Sequence, residues 1–247
     1  INGISIAPQA TQSLPVPVKK AIKAGKEYFL NLSYNIINAE PFLEKGYTIA
    51  YDQFPVANSF TAYQAPAASG SLKESQNGDK LTITGKDFAI SFDKTKGAIN
   101  AYTVKQQNIL TAGPTPSFWR APTDNDIGAG FNSKLRNWRN VYEKSATKNF
   151  TAVKEGATYK VTIEKELLNG DAVQTQLFTI YANGEIKIEN NFKAVQGKHE
   201  LLMRMGNDLV LNKAYNNISW YGRGPGESYW DRKTGSLIGQ YKQTVQE

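Results

Sequence analysis

Apolar residues recur at every second position over much of this chain. Tyr28, Leu30, Leu32 and Tyr34 form one run, Tyr47, Ile49 and Tyr51 a second, and Phe88, Ile90 and Phe92 a third; Val161 with Ile163 and Ile186 with Ile188 continue the pattern. A two-residue period puts these side chains on one face of an extended strand and the intervening polar ones on the other, so each run predicts a half-buried strand. Turn-forming residues separate the runs: Lys94-Thr95-Lys96-Gly97, Asn169-Gly170-Asp171 and Asn183-Gly184. Such clusters close hairpins, because Gly and Asn accept the backbone angles a tight reversal needs. An all-β meander of antiparallel strands is the prediction. One segment departs from it. Leu135, Trp138 and Val141 stand three apart behind possible caps at Asn132 and Ser133, which predicts a helix over Asn132–Tyr142.

Between Gln64 and Gly78 the apolar period disappears and Ala, Pro, Ser, Gly and Asn dominate. This composition reads as a linker, and a domain boundary is expected near residue 70, giving segments 1–70 and 71–247. The first segment offers three strands, around Lys26–Tyr34, Tyr47–Phe54 and Ser59–Tyr63. An independent β-sandwich needs about seven, so this segment is expected to be the latter part of a domain that begins upstream.

Composition supports a packed core and narrows the chemistry. Hydrophobic residues make up 40% of the 247 positions, with 4 Trp, 13 Tyr and 11 Phe, far from the composition of a disordered chain. Without cysteine there is no disulfide framework, no thiolate metal site and no thiol nucleophile, and thiols give no clue to the compartment. No apolar run approaches the roughly 18 residues that a membrane-spanning helix requires. The net charge of +7 comes from lysines scattered singly or in pairs, a solvated surface rather than a nucleic-acid footprint.

Candidate chemistry is sparse. The single histidine, His199, has no second histidine or cysteine with which to hold a metal, and no Gly-x-Ser-x-Gly elbow presents a nucleophile to it. Gly222-Arg223-Gly224-Pro225-Gly226 is glycine-rich, but a proline interrupts it and no Lys-Ser or Lys-Thr follows, so it reads as a tight loop rather than a phosphate cradle. Asp124-Asn125-Asp126 is the densest acidic spot. Two acids at i and i+2 seldom straddle a sugar ring as a glycosidase pair must; capping a turn or pairing with Arg120 suits them better. The arginines are informative by position: Arg120, Arg136, Arg139, Arg204, Arg223 and Arg232, with none in the first 119 residues. A planar guanidinium binds a carboxylate through two parallel hydrogen bonds, so Arg120 is expected to fix the Asp124–Asp126 turn. Arg223 or Arg232 is expected to hold Glu227 or Asp231.

Two long segments carry a resemblance. Phe118-Trp119-Arg120-Ala121-Pro122-Thr123-Asp124-Asn125-Asp126-Ile127-Gly128, and Trp220-Tyr221-Gly222-Arg223-Gly224-Pro225-Gly226-Glu227-Ser228-Tyr229-Trp230-Asp231-Arg232-Lys233-Thr234-Gly235, closely resemble the C-terminal small-chain domain of the β-galactosidases of glycoside hydrolase family two. The likeness runs from about Gly85 to Glu247, and residues 1–65 resemble the latter part of the immunoglobulin-like domain that precedes it. Gly226 and Trp230 stand where relatives often carry other residues. The resemblance implies a partial immunoglobulin-like sandwich followed by a large antiparallel β-supersandwich of galactose mutarotase-like type, truncated at its C-terminus.

It also implies a retaining enzyme for terminal β-galactosides whose two catalytic glutamates lie on a (β/α)₈ barrel ahead of these units. This chain then holds no catalytic residue and is inactive alone. Arg120, Asp124, Asn125, Asp126 and Gly128 match a segment bordering the active site. Trp220, Gly222, Gly224, Pro225, Glu227, Tyr229, Asp231 and Arg232 match a structural motif. No metal or cofactor site is expected here, although members of the family often use Mg or Na ions. The implied partners are the barrel of the same polypeptide, a β-galactoside and further copies in a homo-oligomer, with neither nucleic acid nor membrane. A free-standing carbohydrate-binding β-sandwich and a pure scaffold are the alternatives. The sequence assigns no compartment.

Overall fold

A computed structural model describes residues 4–17, 21–58, 64–67, 69–199 and 201–246. The strands among them are β1 (Glu27–Asn35), β2 (Thr48–Asn58), β3 (Lys73–Asn77), β4 (Lys80–Thr84), β5 (Phe88–Asp93), β6 (Ala98–Val104), β7 (Gln107–Ser117), β8 (Thr147–Glu155), β9 (Thr158–Leu167), β10 (Ala172–Tyr181), β11 (Ile186–Ala194), β12 (Gly206–Leu211), β13 (Asn217–Gly224) and β14 (Leu237–Thr244). The fold is all-β with antiparallel sheets, as the alternation predicts. The chain forms two compact units: Ile1–Gln64 with Gly222–Gly239, and Ala65–Tyr221 with Gln240–Glu247.

In the first unit, β1 and β2 pair antiparallel, with register shifts at Tyr28/Phe29 and at Tyr34/Asn35. The returning segment is tied to β2 by side chains. The Tyr51 hydroxyl donates to the Gly235 carbonyl at 2.8 Å, and the Gln53 amide both accepts from Ile238 N (2.8 Å) and donates to Ile238 O (2.9 Å). The expected strand at Ser59–Tyr63 lies outside the described residues.

The second unit holds two larger sheets, ordered β12-β7-β6-β5-β4-β3 and β11-β10-β9-β8. They pack face to face. Leu81, Ile83, Phe88, Ile90, Phe92 and Ile99 from the first meet Tyr159, Val161, Ile163, Phe178 and Ile180 from the second in one buried cluster. Part of the expected linker is strand. Lys73–Asn77 pairs with Lys80–Thr84 across Gly78-Asp79, with Gly78 at φ +57°. Every residue of β3 is exposed, so there is no apolar alternation to reveal it.

The predicted helix Asn132–Tyr142 is a correction. The chain there forms an α-helix α1 (Asp124–Gly128), α2 (Phe131–Lys134), a 3₁₀ turn at Arg136–Trp138 and α3 (Val141–Lys144). Arg139 is extended and Asn140 is left-handed at φ +56°, which breaks the run. The physical reason lies in the spacing itself: residues three apart eclipse in a 3₁₀ turn, whereas an α-helix rotates them out of line. Trp138 and Val141 are buried with Phe118, Tyr142, Leu167 and Ala172, while Leu135 is partly buried against them, so these short turns form a second apolar cluster over one end of the sandwich.

At that same end the inward face becomes polar. The alternation of β9 carries Tyr159, Val161 and Ile163 inward and then Lys165; that of β10 carries Gln174 and Gln176 inward before Phe178. Gln176 offers its Oε1 to the Tyr142 hydroxyl at 3.0 Å, and the same hydroxyl reaches Gly97 O at 2.8 Å.

Candidate functional site

Arg120 follows the end of β7, and Asp126 sits in the first turn of α1. Thr123 caps that helix: its hydroxyl accepts from Asp126 N at 3.3 Å, and the Asp126 carboxylate reaches back to Thr123 N at 2.8 Å and to Thr123 Oγ1 at 3.0 Å. This reciprocal arrangement satisfies backbone donors that the first turn leaves open. Arg120 completes the shell. Its Nη1 and Nη2 hold the two oxygens of Asp126, the second at 2.9 Å, while Nε donates to Met203 O at 3.1 Å and Nη1 to Ala121 O at 3.2 Å.

Asp126 is only 7% exposed. The Thr123 backbone N–H is the largest influence on its carboxyl and, with Arg120 and the Thr123 hydroxyl, holds it below the ordinary value of 3.8 against the opposing pull of burial. Four donors surround two oxygens. Such a carboxylate stays ionised and has no lone pair left for a proton in flight, so the chemistry available to it is to lock a turn. Asp124, Asn125 and Gly128 lie on the exposed side of the same short helix, and a side chain at Gly128 would meet nothing within 4 Å. The arginine therefore selects the second acid of the Asp-Asn-Asp triplet.

The second motif spans the division between the units. Trp220 closes against the Tyr241 ring at 5.4 Å between centroids, in the second unit. In the first unit, Arg223 Nη1 donates to Lys233 O at 2.6 Å and to Ser236 O at 2.7 Å, so this guanidinium gathers the carbonyls of the Lys233–Ser236 turn. Arg232 meets an acid, Glu227, at 3.1 Å, with both side chains 65% exposed. Ser236 Oγ donates to Glu227 O at 3.2 Å, and Ser236 is buried. Gly224 is buried, Gly222 and Tyr229 are half-buried, and Pro225 and Asp231 are exposed. Trp230 is 88% exposed, with the Lys233 ammonium 4.7 Å from its ring centre.

Among the described residues, no group of three or more His, Cys, Asp or Glu side chains comes together to hold a metal. Sequence reading missed Lys165, the most enclosed charge among the described residues of the second unit at 1% exposure. The signal was available: Lys165 falls on the inward parity of an alternating run.

Comparison with known proteins agrees with this architecture. Residues 84–247 match the family described as β-galactosidase small chain, and residues 1–57 match β-galactosidase domain 4. A β-galactosidase of Priestia megaterium is 32% identical over 99% of this chain and 24% of its own length. One from Psychromonas ingrahamii is 28% identical over 91% and 23%, and one from Clostridium acetobutylicum 28% over 98% and 27%. The chain thus spans about a quarter of the length of the curated relatives it matches. With residues 84–247 matched by the small-chain family and residues 1–57 by domain 4, the chain belongs to the β-galactosidase family, as a small-chain portion.

Proposed function

We propose that this chain is a non-catalytic portion of a β-galactosidase that removes terminal β-galactosyl groups with retention, its two catalytic glutamates lying on a barrel elsewhere in the same polypeptide. In this reading the Arg120–Asp126 turn supports the border of the active site, with Asp124, Asn125 and Gly128 on its exposed side. Further copies assemble with it as a homo-oligomer. The observation that carries the reading is the state of the densest acidic spot. Asp126 is committed to Arg120 and to the Thr123 cap, so it serves as an anchor rather than as a general acid or nucleophile.

The test compares two purified proteins on a chromogenic β-galactoside: the full-length protein and the 247-residue chain. The full-length protein is expected to turn over, and the chain alone to remain at buffer background. Turnover by the chain alone that survives repurification, or a full-length protein inert toward β-galactosides, overturns the reading.

A further inference from the structure

Asparagine followed by glycine is the pair most open to one spontaneous covalent change, in which the glycine backbone nitrogen attacks the asparagine side-chain carbonyl carbon. The N–Cγ bond forms, the Cγ–Nδ2 bond breaks, and ammonia leaves with the proton of the attacking amide. Water then adds at one of the two carbonyls of the five-membered imide and opens it to aspartate or to isoaspartate, in which the chain runs through the side chain. Glycine favours closure because it has no Cβ to crowd the attacking nitrogen and lets the backbone turn freely. The reaction needs a free carboxamide, a free N–H and a backbone able to swing that nitrogen toward Cβ.

The chain carries this pair at Asn2-Gly3, Asn77-Gly78, Asn169-Gly170 and Asn183-Gly184. The first lies outside the described residues. The other three differ in what holds them. Asn183-Gly184 is locked: Asn183 Oδ1 accepts from Glu185 N at 3.0 Å, Gly184 N donates to Tyr181 O at 3.0 Å, and Gly184 O accepts from the Tyr102 hydroxyl at 2.7 Å. A Cβ at Gly184 would lie 3.2 Å from both the Phe88 ring and the Tyr102 hydroxyl, so this turn is packed as well as bonded.

Asn169-Gly170 is misaligned. Asn169 is left-handed, at φ 58° and ψ 35°. That conformation brings the carbonyl oxygen beside Cβ and points the following nitrogen the opposite way, so ring closure requires the turn to open. Asp171 holds it shut: its N–H donates to Leu168 O at 3.4 Å, and its carbonyl accepts from Val195 N at 2.8 Å and Gln196 N at 3.1 Å.

Asn77-Gly78 carries neither restraint. Asn77 ends β3 opposite Lys80, and Gly78-Asp79 connects the two strands. Asn77 and Gly78 are exposed, and a Cβ at Gly78 would meet nothing within 4 Å. Among the described residues, no hydrogen bond engages the Asn77 carboxamide or the Gly78 N–H. Only a local swing of the turn separates this pair from closure.

We propose that Asn77 is a site of spontaneous deamidation and that its isoaspartate product releases β3 from the edge of the six-stranded sheet. Isoaspartate inserts an extra methylene into the backbone, whereas the ladder from Lys73 opposite Thr84 to Asn77 opposite Lys80 needs an unbroken register up to a tight connection. Every residue of β3 is exposed, so no burial resists the release, while the buried Leu81 and Ile83 keep β4 in the core. The proposal is independent of the β-galactosidase reading.

The test incubates the 247-residue chain in mildly alkaline buffer, folded and, in parallel, unfolded in guanidinium. Fragment-ion peptide mapping assigns the mass gain of amide-to-acid conversion to single residues, and chromatography separates aspartate from isoaspartate. In the folded protein Asn77 is expected to convert at least about tenfold faster than Asn183, since each hydrogen bond that must first break lowers the reactive population several-fold, with Asn169 between them. Unfolding is expected to bring the three rates together. In the aged protein, amide exchange is expected to quicken in β3 and to stay unchanged at Ile90 and Phe92. Equal rates at Asn77 and Asn183 in the folded chain, the same spread of rates in guanidinium, or β3 amides that stay protected once Asn77 has become isoaspartate would each overturn the proposal.

Discussion

Asp126 and Glu227 are each met by an arginine within six residues, yet the two pairs do different work. Around Asp126 the guanidinium engages both oxygens, a backbone N–H and a hydroxyl complete the shell, and 7% of the residue remains exposed. Around Glu227 a single nitrogen of Arg232 approaches at 3.1 Å, with both side chains 65% in solvent. Identical residue chemistry thus yields a lock in one place and a loose contact in the other. Burial separates them, because water competes for every exposed donor and acceptor and weakens the attraction between the charges. The second motif draws its order from elsewhere: Arg223 clamps the carbonyls of Lys233 and Ser236, and Gln53 imitates a strand partner for Ile238.

The largest expected effect comes from removing the buried anion. Asp126→Ala leaves Arg120 facing an emptied, mostly enclosed shell and removes the Asp126 half of the α1 capping box. Breaking a buried pair typically costs about 3–5 kcal/mol, and the partial exposure of Arg120 places this one toward the lower end of that range. Urea denaturation of the 247-residue chain reads it as a lower midpoint at unchanged slope. The pH dependence carries the same signature. The Asp126 carboxyl is depressed in the folded protein, so its contribution is present above the ordinary value of 3.8 and is lost as pH falls through the lower folded value. The stability gap between wild type and Asp126→Asn is therefore expected to narrow as the solution is acidified below that point. A gap that is constant with pH assigns the lock to the cap rather than to the charge.

Lys165 sharpens the comparison by being buried with backbone carbonyls, not a carboxylate, as its hydrogen-bond partners. Burial lowers its folded pKa to about 8 from an ordinary 10.5, so between those values the unfolded chain binds the extra proton. Stability linked to this group then rises as pH increases from 8 to 10.5, the same direction as the Asp126 trend but in an alkaline window. Comparing the wild type with Lys165→Met across that window isolates it. A flat difference between the two proteins contradicts the assignment.

A smaller loss is expected from Thr123→Ala. It deletes the hydroxyl that accepts from Asp126 N and donates to Asp126 Oδ2 but leaves the Arg120 pairing in place. Caps of this kind are worth about 1 kcal/mol, so the denaturation midpoint should fall by roughly a third of the Asp126→Ala shift. An equal shift in the two variants means that the pairing cannot stand without the cap.

How far the molecule was legible depended on whether a side chain's phase announced its environment. Phe88, Ile90 and Phe92 alternate with more polar neighbours, and the strand they predict lies in the core with all three buried. The pairing of Arg120 with one acid of the Asp124–Asp126 turn was likewise readable, because guanidinium geometry demands a planar acceptor; which acid it takes was not, since that depends on the Thr123 cap. Lys73–Asn77 was hidden because an edge strand with no buried face leaves no period, though Gly78-Asp79 behind it is a hairpin signal. Lys165 and Gln176 were hidden for the opposite reason. Their parity was inward, but charge and polarity read as the end of an apolar run rather than its continuation as buried polar positions.

The smallest effect is expected at the exposed pair, and its size decides whether the contrast between the motifs holds. Glu227→Ala removes the carboxylate that Arg232 meets, but the Glu227 carbonyl, which accepts from Ser236 Oγ, belongs to the backbone and survives the substitution. Water already surrounds both charges, so deletion leaves no desolvated partner behind, and pairs of this kind are worth under about 1 kcal/mol. What remains should fade with salt, because at roughly 1 M ionic strength the screening length shrinks to about 3 Å, the separation of the pair itself. Denaturation midpoints of wild type and Glu227→Ala are thus expected to lie close together at low salt and to coincide at high salt, while the Asp126→Ala deficit persists in both. A Glu227→Ala deficit as large as that of Asp126→Ala, and insensitive to salt, places Glu227 in a buried network and removes the distinction drawn between the two arginine pairs.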